Sequence, residues 1–388
     1  MSPAASRVND FVIKIATVNG TGSASANTLL MKSIFRSGIP VMGKNYFPSN
    51  IQGLPTWYEI RVSKDGYVAR SGQVDIMVAM NAETYGRDLR DLAAGGYLIY
   101  DSTWPRPALL RREDITVLGV PLARLCNENF KGVRTRILMK NICYAGVLAA
   151  LLDLDVAQIR ALLAETYAKK PALVDANMQA IQLGYDYAKQ HFACPLPLRV
   201  EKLDKTAGHI MIDGNTAAGL GAVYAGATVA AWYPITPSTS LMDAFKSFAD
   251  KLRVDPETGR NNFAFIQAED ELAAIGMVLG ANWNGARSFT ATSGPGISLM
   301  SEFLGLAYYA EIPAVVFDVQ RVGPSTGMPT PHTSSATWSP PPMRRTATRA
   351  GLSVPVEPGR CFYMAVQAFD PGQRLQTPVL NCRTWISA

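Results

Sequence analysis

Three consecutive acidic residues stand at the start of an apolar stretch in the second half of the sequence. Glu269, Asp270 and Glu271 precede residues 272–281, LAAIGMVLGA, which carry no charge. One or two of these acids can serve as charges at a helix N-terminus in solvent. Glu271 is followed only by uncharged, mostly apolar side chains, and a lone buried carboxylate is costly unless a partner takes up its proton or a hydrogen bond. We therefore expect Glu271 to be buried and functional.

The stretch YPITPSTS, residues 233–240, carries hydroxyls on a backbone that two prolines restrict. It presents Thr236, Ser238 and Thr239 where a helix is predicted to begin. The hydroxyls could simply cap that helix. Alternatively, they form a rigid nest, with the helix dipole behind it, that suits a substrate carboxylate.

Two further loops follow predicted buried strands. Gly294 and Gly296 flank a proline in TSGPG; one glycine would satisfy a turn, so two indicate the close approach of a ligand or a partner backbone, with a plain turn as the alternative. Arg321 directly follows the strand VVFDVQ. An arginine there suits bidentate binding of a carboxylate or phosphate, and a surface ion pair is the competing interpretation.

Near the N-terminus, a glycine-rich turn follows a predicted strand. Gly20, Gly22 and Ser25 give the pattern G-x-G-x-x-S, and backbone N–H groups around Gly20, Gly22 and Ser23 could hold a phosphate at a helix start. The third glycine of the dinucleotide fingerprint is missing, and no acidic residue stands about twenty positions on. A tight turn and a different phosphate ligand are the alternatives to NAD.

The elements that must position these loops indicate an α/β protein. Residues 10–18 read as a buried strand, and a glycine-rich turn leads from it into a helix that ends near Gly38. Further strands and helices follow to about residue 192. The stretch ACPLPLRVEKLDKTAGH then breaks the periodicity, which places a domain boundary between residues 195 and 196. Beyond it, strands alternate with helices, as in a doubly wound, mostly parallel sheet that binds ligands at the carboxyl ends of its strands.

Composition limits the function classes. At 388 residues and 48% hydrophobic content, each half can bury a core. We expect a cytoplasmic protein without a membrane span, because there is neither a signal-peptide pattern nor a run of 18 uncharged apolar residues. The five cysteines form no C-x-x-C pair, which argues against a metal or iron–sulfur site on this chain. The net charge of +6 forms no basic stripe, which argues against nucleic acid.

Taken together, several motifs resemble one enzyme family. GNTAAGLGAVYAGA, YPITPSTS, QAEDELAAIGMVLGA, TSGPGISLM and EIPAVVFDVQRVGPSTG resemble the alpha subunit of thiamine-diphosphate-dependent 2-oxoacid:ferredoxin oxidoreductases. The first half, with GTGSAS and NIQGLPTWYEIRVS, resembles the gamma domain of the same enzymes. This order is typical of the 2-oxoglutarate type. The resemblance implies a gamma domain over residues 1–195 and a pyrimidine-binding thiamine diphosphate domain over 196–388.

The resemblance also implies residue roles. Glu271 matches the glutamate that contacts N1′ of the cofactor's aminopyrimidine ring, so that the thiazolium carbon can lose its proton. The family's substrate-binding threonine matches Thr236, and its carboxylate-binding arginine matches Arg321. The further candidates are Ser293, Gly294 and Gly296 for the cofactor, Tyr233 for the substrate, and Gly20, Gly22 and Ser23 for a phosphate or coenzyme A.

The implied activity is the oxidative decarboxylation of a 2-oxo acid, expected to be 2-oxoglutarate, with transfer of the acyl group to coenzyme A and of electrons to ferredoxin. Mg²⁺ and the iron–sulfur cluster would sit on a partner beta subunit, because this chain has no G-D-G motif and no cysteine set for a cluster. An inactive or regulatory subunit and an NAD-dependent oxidoreductase are the alternatives.

The resemblance fails in two places, at about residues 331–355 and 377–388. PHTSSATWSPPPMRRTATRAGLSVP has five prolines, three arginines and no acid. Regrouping the codons of residues 334–349 by one step permits QRDLVSAAYASHGDT, and the same shift over 381–388 permits LSDLDIG; both resemble the family. We hypothesise frameshifts in the coding sequence, and a chain that lacks the further alpha domain expected beyond residue 388.

Resequencing the gene tests this hypothesis. We expect a base insertion or deletion near each of the two stretches. An intact reading frame across both stretches would contradict it.

Overall fold

The computed structural model describes residues 7–46, 53–67, 69, 72–320, 351–353, 355 and 357–384. Contacts divide the chain into two compact units, Met1–Met211 and Ile212–Ala388. Arg321 and most of the stretch 331–355 lie outside the described residues.

The strands of the first unit are β1 Arg7–Val8, β2 Asp10–Val18, β3 Val41–Tyr46, β4 Pro55–Ser63, β5 Val74–Ala79, β6 Leu92–Asp101, β7 Thr116–Val120 and β8 Leu198–Arg199. Within the described part, six of them form a sheet in the order β3-β4-β2-β5-β6-β7. Strand β2 pairs in parallel with β5 and antiparallel with β4. The predicted strand at residues 10–18 is confirmed. Strand β3 was not predicted, because its glycine and polar residues weaken the apolar pattern.

The helices of the first unit are α1 Ser23–Arg36, α2 Tyr85–Asp91, α3 Leu122–Asn129, α4 Val133–Leu152, α5 Val156–Thr166 and α6 Pro171–His191, with 3₁₀ turns at Ala82–Thr84 and Pro107–Leu110. By length and composition α4 could cross a membrane, but 72% of its apolar window is buried inside the protein. Its second half lies in the main core, with Tyr144 and Leu148 fully buried. The central helix of a core has this composition.

The first unit extends past the predicted boundary between residues 195 and 196. Strand β8 pairs with β1, and the N–H of Val200 donates to the carbonyl of Leu152 at 2.9 Å. The N–H of Leu203 donates to the carbonyl of Ser37 at 2.9 Å. The prolines that interrupt the periodicity therefore precede a segment that still packs on the first unit.

The second unit is a doubly wound parallel sheet, as predicted. Its strands are β9 Val229–Trp232, β10 Ala264–Gln267, β11 Ser288–Thr292, β12 Ala314–Gln320, β13 Gly351–Ser353 and β14 Pro378–Thr384, and its helices are α7 Gly214–Tyr224, α8 Thr239–Leu252, α9 Glu271–Trp283, α10 Gly294–Leu299, α11 Ser301–Tyr309 and α12 Pro358–Leu375. The described strands lie in the order β10-β9-β11-β12-β14-β13, and all their pairings are parallel.

Both faces of this sheet are covered. Val315 and Phe317 of β12 belong to a core that includes Phe245 of α8, whereas Val316 belongs to a second core that includes Ile275 of α9. Alternate residues of one strand thus serve two cores, which explains why β12 reads as a continuous apolar run rather than an alternating one.

Part of the stretch predicted to be aberrant at residues 377–388 lies within β14. Asn381 on this strand is 1% exposed, yet neither its side-chain nitrogen nor its oxygen has a hydrogen-bond partner among the described residues. A buried amide without partners is unfavourable. This observation agrees with the frameshift hypothesis, which stays a prediction.

Helices α4 and α6 approach each other so closely that two glycines are required. A Cβ atom on Gly146 would lie 2.0 Å from the carbonyl oxygen of Ile181, and one on Gly184 would lie 2.0 Å from that of Cys143. The obstacle is backbone in both cases, so it cannot rotate away. Packing of the first unit therefore depends on these two positions.

We predict that Gly146→Ala lowers the free energy of unfolding of the first unit by about 3 kcal/mol, because the helices must separate to admit the methyl group. Gly86→Ala on α2 is the matched control, since a Cβ there meets nothing within 4 Å. It should be neutral or slightly stabilising. Thermal unfolding of both variants measures the difference, and equal melting temperatures would contradict the packing argument.

Candidate functional site

The strand order of the second unit contains a switch point, where the next strands are added to the sheet on opposite sides of β9. From β9 the chain passes to β10 on one side, and β11 then pairs with the other side of β9. In open parallel sheets, ligands bind in the crevice outside the carboxyl ends of the strands at such a switch point. Tyr233 and Thr236 follow β9. Glu271 follows β10 as the first residue of α9, and Ser293 follows β11.

The three acids after β10 have different environments. Glu269 is exposed. Asp270 is the N-cap of α9, and its Oδ1 accepts a hydrogen bond from the N–H of Ala273 at 2.6 Å. Glu271 is the first residue of α9 and is 7% exposed. The prediction that Glu271 is the buried acid of this group is confirmed.

Gly296 brings the loops after β10 and β11 together. A Cβ atom on Gly296 would lie 1.9 Å from Oγ1 of Thr292 and 3.0 Å from Cγ of Glu271. Because β10 and β11 flank β9 on opposite sides, Glu271 meets the β11 loop across the end of β9. The close approach inferred for this glycine is therefore made, at least in part, by the chain's own side chains.

The same edge holds buried polar atoms that lack partners. Ser293 is fully buried at the end of β11, and its Oγ has no hydrogen-bond partner among the described residues. Gly294 follows it, and a Cβ there would lie 3.2 Å from Oε1 of Gln320. A buried hydroxyl without a partner is unfavourable unless a water or a bound polar group satisfies it.

The hydroxyl-rich loop after β9 is rigid, but it does not form the nest considered from the sequence. Ser238 and Thr239 turn their hydroxyls back to the carbonyl of Ile235, at 2.9 and 3.3 Å. Asn215 of α7 clamps the loop, because its Nδ2 donates to the carbonyl of Pro237 at 2.8 Å. Of these three residues, Thr236 is the exposed one.

Helices α9 and α11 present apolar side chains outward. Leu272, Met277 and Trp283 of α9 are exposed, as are Leu306 and Tyr309 of α11, and the two helices pack against each other. The apolar composition of residues 272–281 suggested burial, and for Leu272 and Met277 this is wrong within the described chain. We call these five residues the α9/α11 surface. Exposed apolar side chains on two neighbouring helices make this surface a candidate interaction site.

A buried acid stands on β12 close to the same edge. Asp318 is 2% exposed, and burial raises its pKa to about 7, although hydrogen bonds from Gln320 and Cys382 act in the opposite direction. Its Oδ1 has no partner among the described residues. A role for Asp318 was not predicted from the sequence, although a single acid inside the apolar run AVVFDVQ indicates a buried carboxyl.

In the first unit, the glycine-rich turn borders a cavity of about 320 Å³ lined by Thr17, Gly20, Gly22, Ser23, Asn27 and further uncharged residues. Gly20 and Gly22 have φ of 86° and 82°, which favours glycine. Gly22 precedes α1 without a side-chain cap. The turn is held to α4, because Nδ2 of Asn141 donates to the carbonyl of Thr21 at 2.8 Å.

A larger cavity of about 540 Å³ lies at the other end of α1, between α5 and residues 202–211, and contains none of the predicted site residues. Arg36 on its wall is paired with Glu165, at 2.7 Å. We therefore place the candidate sites at the strand ends, where the buried and unpartnered groups are.

Comparison with known proteins agrees with this geometry. A family model described as pyruvate ferredoxin/flavodoxin oxidoreductase matches residues 12–187. A second, described as the thiamine diphosphate-binding domain of pyruvate flavodoxin/ferredoxin oxidoreductase, matches residues 220–383. One match falls in each unit and together they cover most of the chain, which belongs to the 2-oxoacid:ferredoxin oxidoreductase family.

Similar proteins include subunit alpha of 2-oxoacid:ferredoxin oxidoreductase 2 from Aeropyrum pernix, 29% identical over 96% of this chain and 64% of the relative. The 2-oxoglutarate synthase subunit KorA of Methanocaldococcus jannaschii is 49% identical over 31% of this chain and 30% of the relative. A solved structure of 2-oxoglutarate:ferredoxin oxidoreductase from Magnetococcus marinus, with 2-oxoglutarate, coenzyme A and succinyl-CoA bound, is 28% identical over 97% of this chain and 64% of that one, with a TM-score of 0.82. The chain thus spans 64% of the Aeropyrum relative.

Asp318 gives a pH-dependent prediction. Its carboxyl keeps its proton up to a pH of about 7 in the folded protein, whereas in the unfolded chain it loses it near pH 4. Wild-type stability should therefore fall as pH rises between about 4 and 7 relative to Asp318→Asn, which cannot ionise. The gap should reach on the order of 4 kcal/mol. Denaturant unfolding of both proteins across this range measures it, and a gap independent of pH would refute the assignment.

Proposed function

We propose that this chain is the gamma–alpha subunit of an enzyme that oxidatively decarboxylates a 2-oxo acid. The observation that carries the proposal is the position of Glu271, a carboxylate that is 7% exposed and lies against Gly296 at the switch point of the sheet. A thiamine diphosphate enzyme needs a carboxyl in such a place. When bound, this cofactor supplies a carbanion that attacks the 2-oxo group and accepts electrons from decarboxylation.

The residues present fit the pyrimidine half of that cofactor. Glu271 would share a proton with ring N1′, and its burial keeps water from competing for that proton. Gly296 lets the side chains of Glu271 and Thr292 come close together at this end of the sheet, because a Cβ atom there would lie within 3.0 Å of both. The unpartnered Oγ of Ser293 would form a hydrogen bond with a polar atom of the ring. Gly294, the next residue, would lie beside the ring.

Substrate binding would fall to the loops after β9 and β12. Thr236 is exposed on a loop that Asn215 holds rigid, and Tyr233 stands three residues before it. Arg321 follows β12 in sequence and would pair with the substrate carboxylate. Relatives named 2-oxoglutarate synthase support 2-oxoglutarate as the substrate.

The glycine-rich turn of the first unit would bind a phosphate of coenzyme A. An uncapped helix start beside a cavity with an uncharged lining favours an anion. Coenzyme A is named in the similar Magnetococcus structure, which supports this choice. Gly20, Gly22 and Ser23 would contribute the backbone donors.

A beta subunit would complete the active site by covering the α9/α11 surface. This surface exposes apolar side chains on α9, the helix that begins with Glu271, and on α11. Apolar aromatic and aliphatic anchors are typical of stable interfaces. We place Mg²⁺, the diphosphate and the iron–sulfur cluster on that partner, with ferredoxin as electron acceptor and the cytoplasm as location.

Co-expression with a beta subunit separates this proposal from its alternatives. A complex that retains thiamine diphosphate and reduces ferredoxin with a 2-oxo acid supports it, and a panel of 2-oxo acids identifies the substrate. A complex that binds the cofactor without turnover supports a regulatory or inactive subunit. Nicotinamide binding by the chain alone supports an NAD-dependent enzyme.

We predict that Glu271→Gln slows proton exchange at the thiazolium carbon of bound cofactor by about 100-fold or more, because the amide cannot share its proton with N1′. Deuterium exchange in the assembled complex, followed by NMR after quenching, measures the rate. Glu269→Gln is the matched control, since Glu269 is exposed two residues away.

Glu269→Gln should leave the exchange rate unchanged, and both variants should assemble with the beta subunit. An unchanged rate in Glu271→Gln, with cofactor bound, would exclude the proposed role of this carboxyl.

A further inference from the structure

We propose that Asn27, oriented by Tyr144, binds an oxygen of a phosphate group in the cavity beside the glycine-rich turn. The inference rests on the proposed phosphate-binding function of the turn and goes beyond it, because it concerns side chains outside the turn. Asn27 lies on α1, and Tyr144 lies on α4.

The orientation of the Asn27 amide follows from the needs of Tyr144. Tyr144 is fully buried, and its hydroxyl donates to Oδ1 of Asn27 at 2.7 Å. The reverse orientation would point Nδ2 at the tyrosine oxygen and leave the phenolic hydrogen buried without an acceptor. A buried donor without an acceptor is costly. Tyr144 therefore fixes Oδ1 on its own side and turns Nδ2 away.

The Nδ2 group of Asn27 then faces the cavity. Asn27 is 2% exposed and lines the cavity of about 320 Å³, and the hydrogen bond to Tyr144 leaves Nδ2 without a partner among the described residues. A nearly buried amide with its donor unused points to a ligand that accepts hydrogen bonds. This observation is independent of the backbone geometry at the helix start.

Other groups at this wall also donate. The hydroxyls of Thr17 and Ser23 are 2.9 Å apart, so one hydrogen serves their mutual bond and the other can point into the cavity. The first turn of α1, which starts at Ser23, has backbone N–H groups without helical acceptors. Among the described residues, those that line the cavity include no acid. Donors converging without a counter-charge suit a phosphate group.

Two substitutions test the pair in the full chain. Asn27→Asp keeps the shape but turns an acceptor toward the ligand, and we expect it to weaken coenzyme A binding by about 30-fold or more. Tyr144→Phe lets the amide turn over and should weaken binding by about 5-fold. Tyr97→Phe, on β6 outside the cavity lining, is the control and should change nothing. Isothermal titration calorimetry measures affinity, and thermal unfolding confirms that each variant is folded.

The ligands distinguish the source of the phosphate. Pantetheine carries no phosphate, so Asn27→Asp should leave its binding unchanged. Weakening of both coenzyme A and dephospho-coenzyme A places the diphosphate at Asn27; weakening of coenzyme A alone places the 3′-phosphate there; and a matching loss for NADH shows that the site accepts phosphates from either source.

Two results would overturn the inference. If folded Asn27→Asp binds coenzyme A as the wild type does, or if it loses affinity for pantetheine equally, the proposed role of Asn27 and Tyr144 is wrong. The proposal that the turn binds a phosphate would still stand. If the wild-type chain binds no phosphorylated ligand at all, the turn's proposed function fails as well.

Discussion

The second unit depends on one constraint, the burial of the Glu271 carboxylate at the end of a parallel sheet. A carboxylate that is 7% exposed must find a proton or a donor, and the described residues place an apolar helix behind it and a glycine in front of it. Gly296 can occupy that place only because it lacks a Cβ. The strand order supplies the rest, since β10 and β11 on either side of β9 bring their loops together.

The α9/α11 surface extends this constraint beyond the chain. A helix that buries its first side chain but exposes Leu272, Met277 and Trp283 is covered on one side only. Residues of this kind in solvent are unfavourable, so the described contacts account for the apolar composition on one side of α9 only. The buried carboxylate and the exposed apolar side chains belong to the same helix.

Local patterns predicted much of this fold, because they depend on neighbours in the chain. The strand at residues 10–18, the parallel sheet of the second unit and the burial of Glu271 follow from periodicity and charge. Contacts between distant positions were not visible. Tyr144 hydrogen-bonds to Asn27, which lies 117 positions away in the sequence. Ser238 donates its hydroxyl to a carbonyl three residues earlier, and this contact depends on the final course of the loop. The segment after residue 195 shows the same limit, because pairing with β1 decides where it belongs.

Each unit contains a turn that leads from a strand into a helix, and the two helix starts differ in whether a side chain caps them. After β2, the turn leads to an uncapped helix start and a cavity with unused donors, so it favours negative charge. After β10, Asp270 already caps the helix, which satisfies one of the N–H groups at its start. The capping residue therefore decides how many N–H groups each helix start leaves for other acceptors. Asp270 takes one of them after β10, whereas the start of α1 has no side-chain cap and keeps them all.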